Sequence, residues 1–171
     1  MKKLILILLC VILVLPVHAA STSVVDNAGL LSDSEIASLE AKISALTDTY
    51  PMDIAIVTVN SLEGKTAQMF ADDYYDYNGY GYGSDHSGIL LLLDMNSRSW
   101  AVTTDGNTET IIPNTKIDAI MDDCLEMISK EQYSEGFTAF LNGVSQAYAE
   151  DEAKNNEEPD MRTMLIAKEK R

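Results

Sequence analysis

The chain has 171 residues, 46% of them apolar, with 27 acidic against 12 basic residues and a formal net charge of −15. That excess of acid disfavours nucleic acid and bare anionic membrane as partners and makes cations natural ones. The length suits one domain with a real hydrophobic core, and the two cysteines, Cys10 and Cys124, are too few and too differently placed for a disulfide framework.

At the amino terminus Lys2 and Lys3 precede an apolar run from Leu4 to Pro16, and Val17-His18-Ala19-Ala20 supplies the small residues of a signal-peptidase site. Residues 1–19 therefore read as a bacterial-style export signal. The run falls short of the roughly 20 residues of a bilayer span, which favours cleavage over an uncleaved amino-terminal anchor. Cys10 leaves with the signal, as do Lys2 and Lys3, so the product carries 10 basic residues and a formal charge of −17 (10 − 27). The expected destination is outside the cytoplasmic membrane, secreted or associated with the cell envelope.

Ser32 and Glu35 have the spacing of a capping box, and Ile36, Leu39, Ile43, Leu46 and Tyr50 follow at helical intervals. Pro51 stops that helix. Ile54 to Val59 is too continuously apolar and β-branched for a half-exposed strand and reads as a buried parallel one. Gly64 and Thr66 open a second helix through Phe70 and Tyr74 to Asn78-Gly79, which serves as the crossover. Gly88 to Leu93 is a central strand, Asp94-Met95-Asn96-Ser97 a turn, and Arg98 to Thr104 the alternating return strand of a hairpin. Asn114 is expected to cap a third helix bearing Ile117, Met121, Cys124 and Ile128; a fourth carries Tyr133, Phe137, Phe140, Val144 and Tyr148. From Glu150 onward the pattern fails, so residues 150–171 are expected to form a charged, disordered tail. The fold class is α/β: a single domain, residues 23–149, built as a three-layer α/β/α sandwich around a small mixed sheet.

This order of elements resembles the TPM domain, and so do particular residues. Val25-Asp26-Asn27-Ala28-Gly29-Leu30-Leu31 is similar to its opening motif, and Gly79-x-Gly81 followed by Ser87-Gly88-Ile89-Leu90-Leu91-Leu92 to its central loop and strand. The likeness runs from about Ser23 to Ala149. Members that it resembles are exported or lumenal α/β sandwiches, among them a thylakoid-lumen acid phosphatase and factors for photosystem assembly and repair, and some bind calcium or other divalent ions. The chain departs from the pattern at Asn114, where many members carry aspartate, and at Thr103-Thr104-Asp105-Gly106-Asn107.

Hairpin topology puts the start of the Gly88 strand beside the end of the Arg98 strand, so Asp85, His86 and Asp105 are expected as neighbours. The second helix ends at the same edge and adds Asp76 and, at i, i+4 spacing, Asp72. Asp26 joins them if the opening motif lies alongside. Clustered carboxylates need a compensating cation, and hard oxygen ligands suit calcium or another divalent ion. An EF-hand loop counted from Tyr74 fails at its first position, and Asp85, His86 and Ser87 are consecutive and cannot align as a triad. Five tyrosines fall between Tyr74 and Tyr82, and Tyr77, Asn78, Tyr80 and Tyr82 with His86 read as a binding loop.

Two functions stay open at this point. One is a non-catalytic binding or accessory module, whose partner is an envelope protein or membrane complex. The other, implied by the resemblance, is a metal-assisted acid phosphatase in which His86 serves as the acid.

Overall fold

Local sequence sets the ends of most elements. In α1 (Asp33–Thr49) the Ser32 hydroxyl accepts from the Glu35 amide at 3.4 Å and the Glu35 carboxylate accepts from the Ser32 amide at 2.7 Å, completing the capping box. Tyr50 is already extended, as the residue before a proline must be. Thr66 caps α2 (Ala67–Tyr77) by accepting from the Met69 amide at 3.2 Å. The computed structural model describes residues 22–169; the export signal lies outside the described residues.

Four strands form one mixed sheet in the order β1 (Val24–Asp26), β2 (Asp53–Val59), β3 (Gly88–Asp94), β4 (Ser99–Asp105). The first three run parallel and β4 returns antiparallel. Between their end residues β2 and β3 are apolar except at Thr58, because both of their faces are covered. On one face Ile54, Ile56, Ile89, Leu91 and Leu93 meet α1, α4 (Asn114–Ile128) and α5 (Tyr133–Glu169) through Leu39, Ile43, Met121, Phe137 and Phe140. On the other, the smaller Ala55, Val57 and Ala101 with Leu90 and Leu92 receive α2 through Ala71 and Tyr75. The three-layer sandwich is thus the observed architecture, with the larger core on the side of α1, α4 and α5. Cys124 is fully buried in that core and unpaired, and burial pushes its thiol up to about 12.

Three features differ from the expectation. Residues Val24–Asp26 are an edge strand, too short for any periodicity to announce it. A five-residue helix, α3 (Asn107–Ile111), follows β4 and buries Thr108 and Ile111. Pro113, not Asn114, is the residue before α4; Asn114 is the first helical residue and makes no capping bond. α5 runs as helix to Glu169, through most of the residues read from sequence as a charged tail. Among the described residues no helix is long and apolar enough to cross a membrane.

The β3–β4 turn is closed by Asp94, which is buried and accepts from the Asn96 and Ser97 amides at 3.2 and 3.0 Å and from the Ser97 hydroxyl. Burial raises this carboxyl, but the Ser97 hydroxyl and the two amides outweigh it and hold it below the usual aspartate value. Its folded-state pKa is depressed, so the stability it confers is present above the ordinary aspartate value of about 4 and is lost as pH falls through the folded value. Urea midpoints measured while acidifying from about pH 6 should therefore drop below about pH 4. In Asp94→Asn that part of the drop should be missing, at the cost of a lower midpoint near neutrality.

Candidate functional site

The sheet edge where β3 begins and β4 ends gathers three acidic or backbone-critical positions. Gly88 is in register with Asp53 of β2 on one side and with Asp105 of β4 on the other. Above them the segment from Asn78 to Ser87 folds as a tight loop, pinned by reciprocal backbone bonds between Tyr82 and Ser87 at 2.9 and 3.0 Å. The Gly81 amide donates to the Asp53 carboxylate at 2.9 Å, which ties the loop to the sheet.

Two buried phenols hold the loop from below. Tyr75 donates to the His86 carbonyl at 2.8 Å, and Tyr80 donates to the Thr22 carbonyl at 2.8 Å. Burial is the main cause that raises both phenols, that of Tyr80 up to about 12, so they stay protonated donors near neutrality. His86 sits at φ 54°, a left-handed conformation uncommon for a residue with a Cβ, and the Tyr75 bond to its carbonyl helps to hold it there. The Tyr75 hydroxyl lies so close to Gly88 that a Cβ at that position would overlap it, so only glycine fits.

A cleft of about 580 Å³ opens between this loop, the end of α2 and the end of β4. Asp76, His86 and Asp105 supply its polar side chains, Tyr75 and Tyr80 its aromatic wall, and Gly79, Gly81 and Gly83 its backbone rim. Among the described residues no lysine or arginine lines it.

Of the five aspartates expected together, the structure brings only Asp76 and Asp105 into the cleft. Asp85 instead accepts from the Ser87 hydroxyl at 2.7 Å and the Asn107 amide at 3.3 Å, and the Ser87 bond leads in holding its carboxyl below the usual value. Asp72 accepts from Gln68 Nε2 at 2.8 Å and from the Thr103 hydroxyl at 2.7 Å, fastening α2 to β4. Among the described residues no group of three or more His, Cys, Asp or Glu side chains is placed to hold a metal ion. The binding loop is also redistributed: Tyr80 is buried, whereas Asn78 is exposed and Tyr77 and Tyr82 stand 82% and 52% exposed. Asp53 went unnoticed in the sequence because it reads there only as the start of a strand.

Asp26 lies at the other end of the sheet. Its partner across the ladder is Thr58, five residues beyond Asp53 along β2, which is about 17 Å at the usual strand rise. There its carboxylate accepts from the Leu31 amide at 2.8 Å and from the Thr58 hydroxyl, while that hydroxyl accepts from the Ala28 amide at 3.1 Å. The opening motif is thereby explained as a turn that Asp26 organises, with Gly29 at φ 70° and Leu30 and Leu31 packed on the core. Asp26→Ala leaves the Leu31 amide and Thr58 hydroxyl without their acceptor and should cost about 2–3 kcal/mol. Chemical denaturation measures that loss, and the cleft at the far edge should keep its native chemical shifts.

The fold and parts of its sequence have counterparts. The sequence model of the TPM domain matches residues 24–147. A Bacillus subtilis (strain 168) protein, the UPF0603 protein YdjH, is 31% identical over 121 residues, which cover 69% of this chain and 44% of that protein, so the chain spans less than half of that relative's length. The solution structure of the N-terminal domain of a P. gingivalis protein superposes with a TM-score of 0.66 at 25% identity, covering 75% of this chain and 83% of that one. The N-terminal domain of the cg2496 protein from Corynebacterium glutamicum, at 19% identity, covers 76% of this chain and 82% of its own with a TM-score of 0.61, and shows a shared fold. Because the family model covers most of the chain, the chain belongs to the TPM domain family.

Proposed function

We propose that the chain is an exported, non-catalytic binding module of the cell envelope, and that its cleft takes a divalent cation, calcium foremost, as a support for a protein partner. The supporting observation is the pairing of Asp76 and Asp105 in one concavity that, among the described residues, no lysine or arginine lines. Two carboxylates with nearby glycine-loop carbonyls suit a hard cation, but they fall short of the 6 to 8 oxygens that calcium takes. Water or a partner's oxygens would complete the shell. Affinity should therefore be weak, in the range of about 0.1–1 mM found for extracellular modules. Tyr82, exposed on the loop that roofs the cleft, and Tyr77, exposed at the end of α2, offer the amphipathic contact area that suits an envelope protein or membrane complex. Export is supported by the amino-terminal signal pattern.

A second reading, metal-assisted phosphate-monoester hydrolysis, is favoured by one observation, the presence of His86 in the same cleft as the two carboxylates. Against it stands the lack, among the described residues, of a lysine or arginine at the cleft to hold phosphate.

Calcium titration followed by NMR decides between these outcomes. Saturable shifts at Gly79–Gly83, Asp76 and Asp105, weakened about tenfold or more in Asp76→Asn and in Asp105→Asn, are expected. Their absence up to about 10 mM calcium would retire the cation. Divalent-dependent hydrolysis of a phosphate monoester, lost in Asp105→Asn and impaired in His86→Gln, would replace the binding module with an enzyme.

A further inference from the structure

A second groove runs along the other side of α2. Residues turn by about 100° along a helix, so Phe70, Asp73, Tyr74 and Tyr77 share a face directed away from the cleft residues Tyr75 and Asp76. With Glu63 and Lys65 they line a groove of about 250 Å³. Its aromatic wall is continuous: the Phe70 and Tyr74 rings stack with centroids 6.1 Å apart, and Tyr74 stacks on Tyr80 at 6.3 Å.

A cation already sits on this wall. The turn before α2, in which the Lys65 amide donates to the Leu62 carbonyl at 2.9 Å and Glu63 and Gly64 both have positive φ, swings the Lys65 side chain back over the helix. Its ammonium lies 2.8 Å from Asp73 Oδ2 and 5.9 Å from the Phe70 ring centroid. Both partners of the ion pair keep more than a third of their side-chain surface in water, so the pair is open to exchange and adds little to stability. A π face, a carboxylate and an open rim are the elements that recognise a basic side chain. Glu63 and Asp73 together present two carboxylates to one resident ammonium, which leaves the groove net negative.

We propose that this groove docks an arginine- or lysine-bearing segment of a partner protein, whose cation displaces the Lys65 ammonium from Phe70 and Asp73 while its neighbouring side chains lie along Tyr74 and Tyr77. Charge selects this occupant, because an uncharged ligand such as a sugar would stack on the rings but gain nothing from the two carboxylates. Guanidinium fits best, since it stacks on a ring and bridges a carboxylate at once. The groove is distinct from the cleft and does not depend on an ion being bound there.

The test is an NMR titration of the full chain with a short peptide alternating arginine and serine, with its glutamine counterpart and tetramethylammonium as controls. The arginine peptide should shift the ring resonances of Phe70, Tyr74 and Tyr77, and the glutamine peptide should not. Lys65→Gln, which removes the resident cation, should tighten binding about threefold to tenfold, and Asp73→Asn should weaken it by a similar factor. Both substitutions are at the surface, so folding is preserved. Asp76→Asn and Asp105→Asn, which empty the cleft of charge, should leave the affinity unchanged. Peptide binding indifferent to Asp73→Asn and Lys65→Gln, or shifts confined to the cleft, would overturn the assignment. Tetramethylammonium binding as tightly as the peptide would overturn the protein segment as the occupant.

Discussion

The close approach of Tyr75 to the backbone at Gly88 is the contact on which the loop edge of the sheet depends. Tyr75 comes from the buried face of α2, and its hydroxyl reaches past Gly88 to the His86 carbonyl. Glycine at 88 is what lets the ring in. The bond then helps to hold His86 in a left-handed conformation and supports the loop at the point where it enters β3. Because Gly88 is also in register with both Asp53 and Asp105, the same contact sets the loop over the sheet edge. Hydrogen bonds and close packing, not chain flexibility, thus shape the cleft.

The two ends of the sheet divide the labour. At one end Asp26, Thr58 and the amides of Ala28 and Leu31 form a self-satisfied turn whose chemistry is consumed internally. At the other, Asp53, Asp72 and Asp85 are likewise engaged in fastening loop, helix and strand to one another. Asp76 and Asp105 line the cleft, Asp105 while also accepting from the Gly106 amide at 2.7 Å. An acidic chain therefore need not hold an acidic cluster: most of its carboxylates at this edge serve as acceptors for hydroxyls and amides, which compensate each charge locally.

α2 carries surfaces of different character on its different faces. Ala71 and Tyr75 face the sheet, Asp76 faces the cleft, and Phe70, Asp73, Tyr74 and Tyr77 face the second groove. Tyr80 links two of these, since it lines the cleft while stacking on Tyr74 of the groove wall. The cleft and the groove thus share one aromatic framework, fixed beneath by the buried hydroxyls of Tyr75 and Tyr80.

Periodicity and capping made the long elements legible from sequence, because burial on one helical face or on both strand faces repeats over enough residues to leave a pattern. The Ser32–Glu35 box, the stop before Pro51 and the doubly buried Gly88–Leu93 strand are local facts. Hairpin topology also correctly joined Asp105 and His86 at one edge, since antiparallel register follows from the turn between two strands. What the sequence did not contain is the strand order. Only the parallel pairing of β1 with β2 carries Asp26 to the far end of the sheet, and only side-chain geometry spends Asp72 and Asp85 on hydroxyls and amides. Likewise the tyrosines of one loop read alike in sequence, yet tertiary packing buries Tyr80 and leaves Tyr77 and Tyr82 in water. Local interactions determined the elements; long-range pairing and packing, which no short window records, decided which of their side chains line the cleft and which are buried or bonded elsewhere.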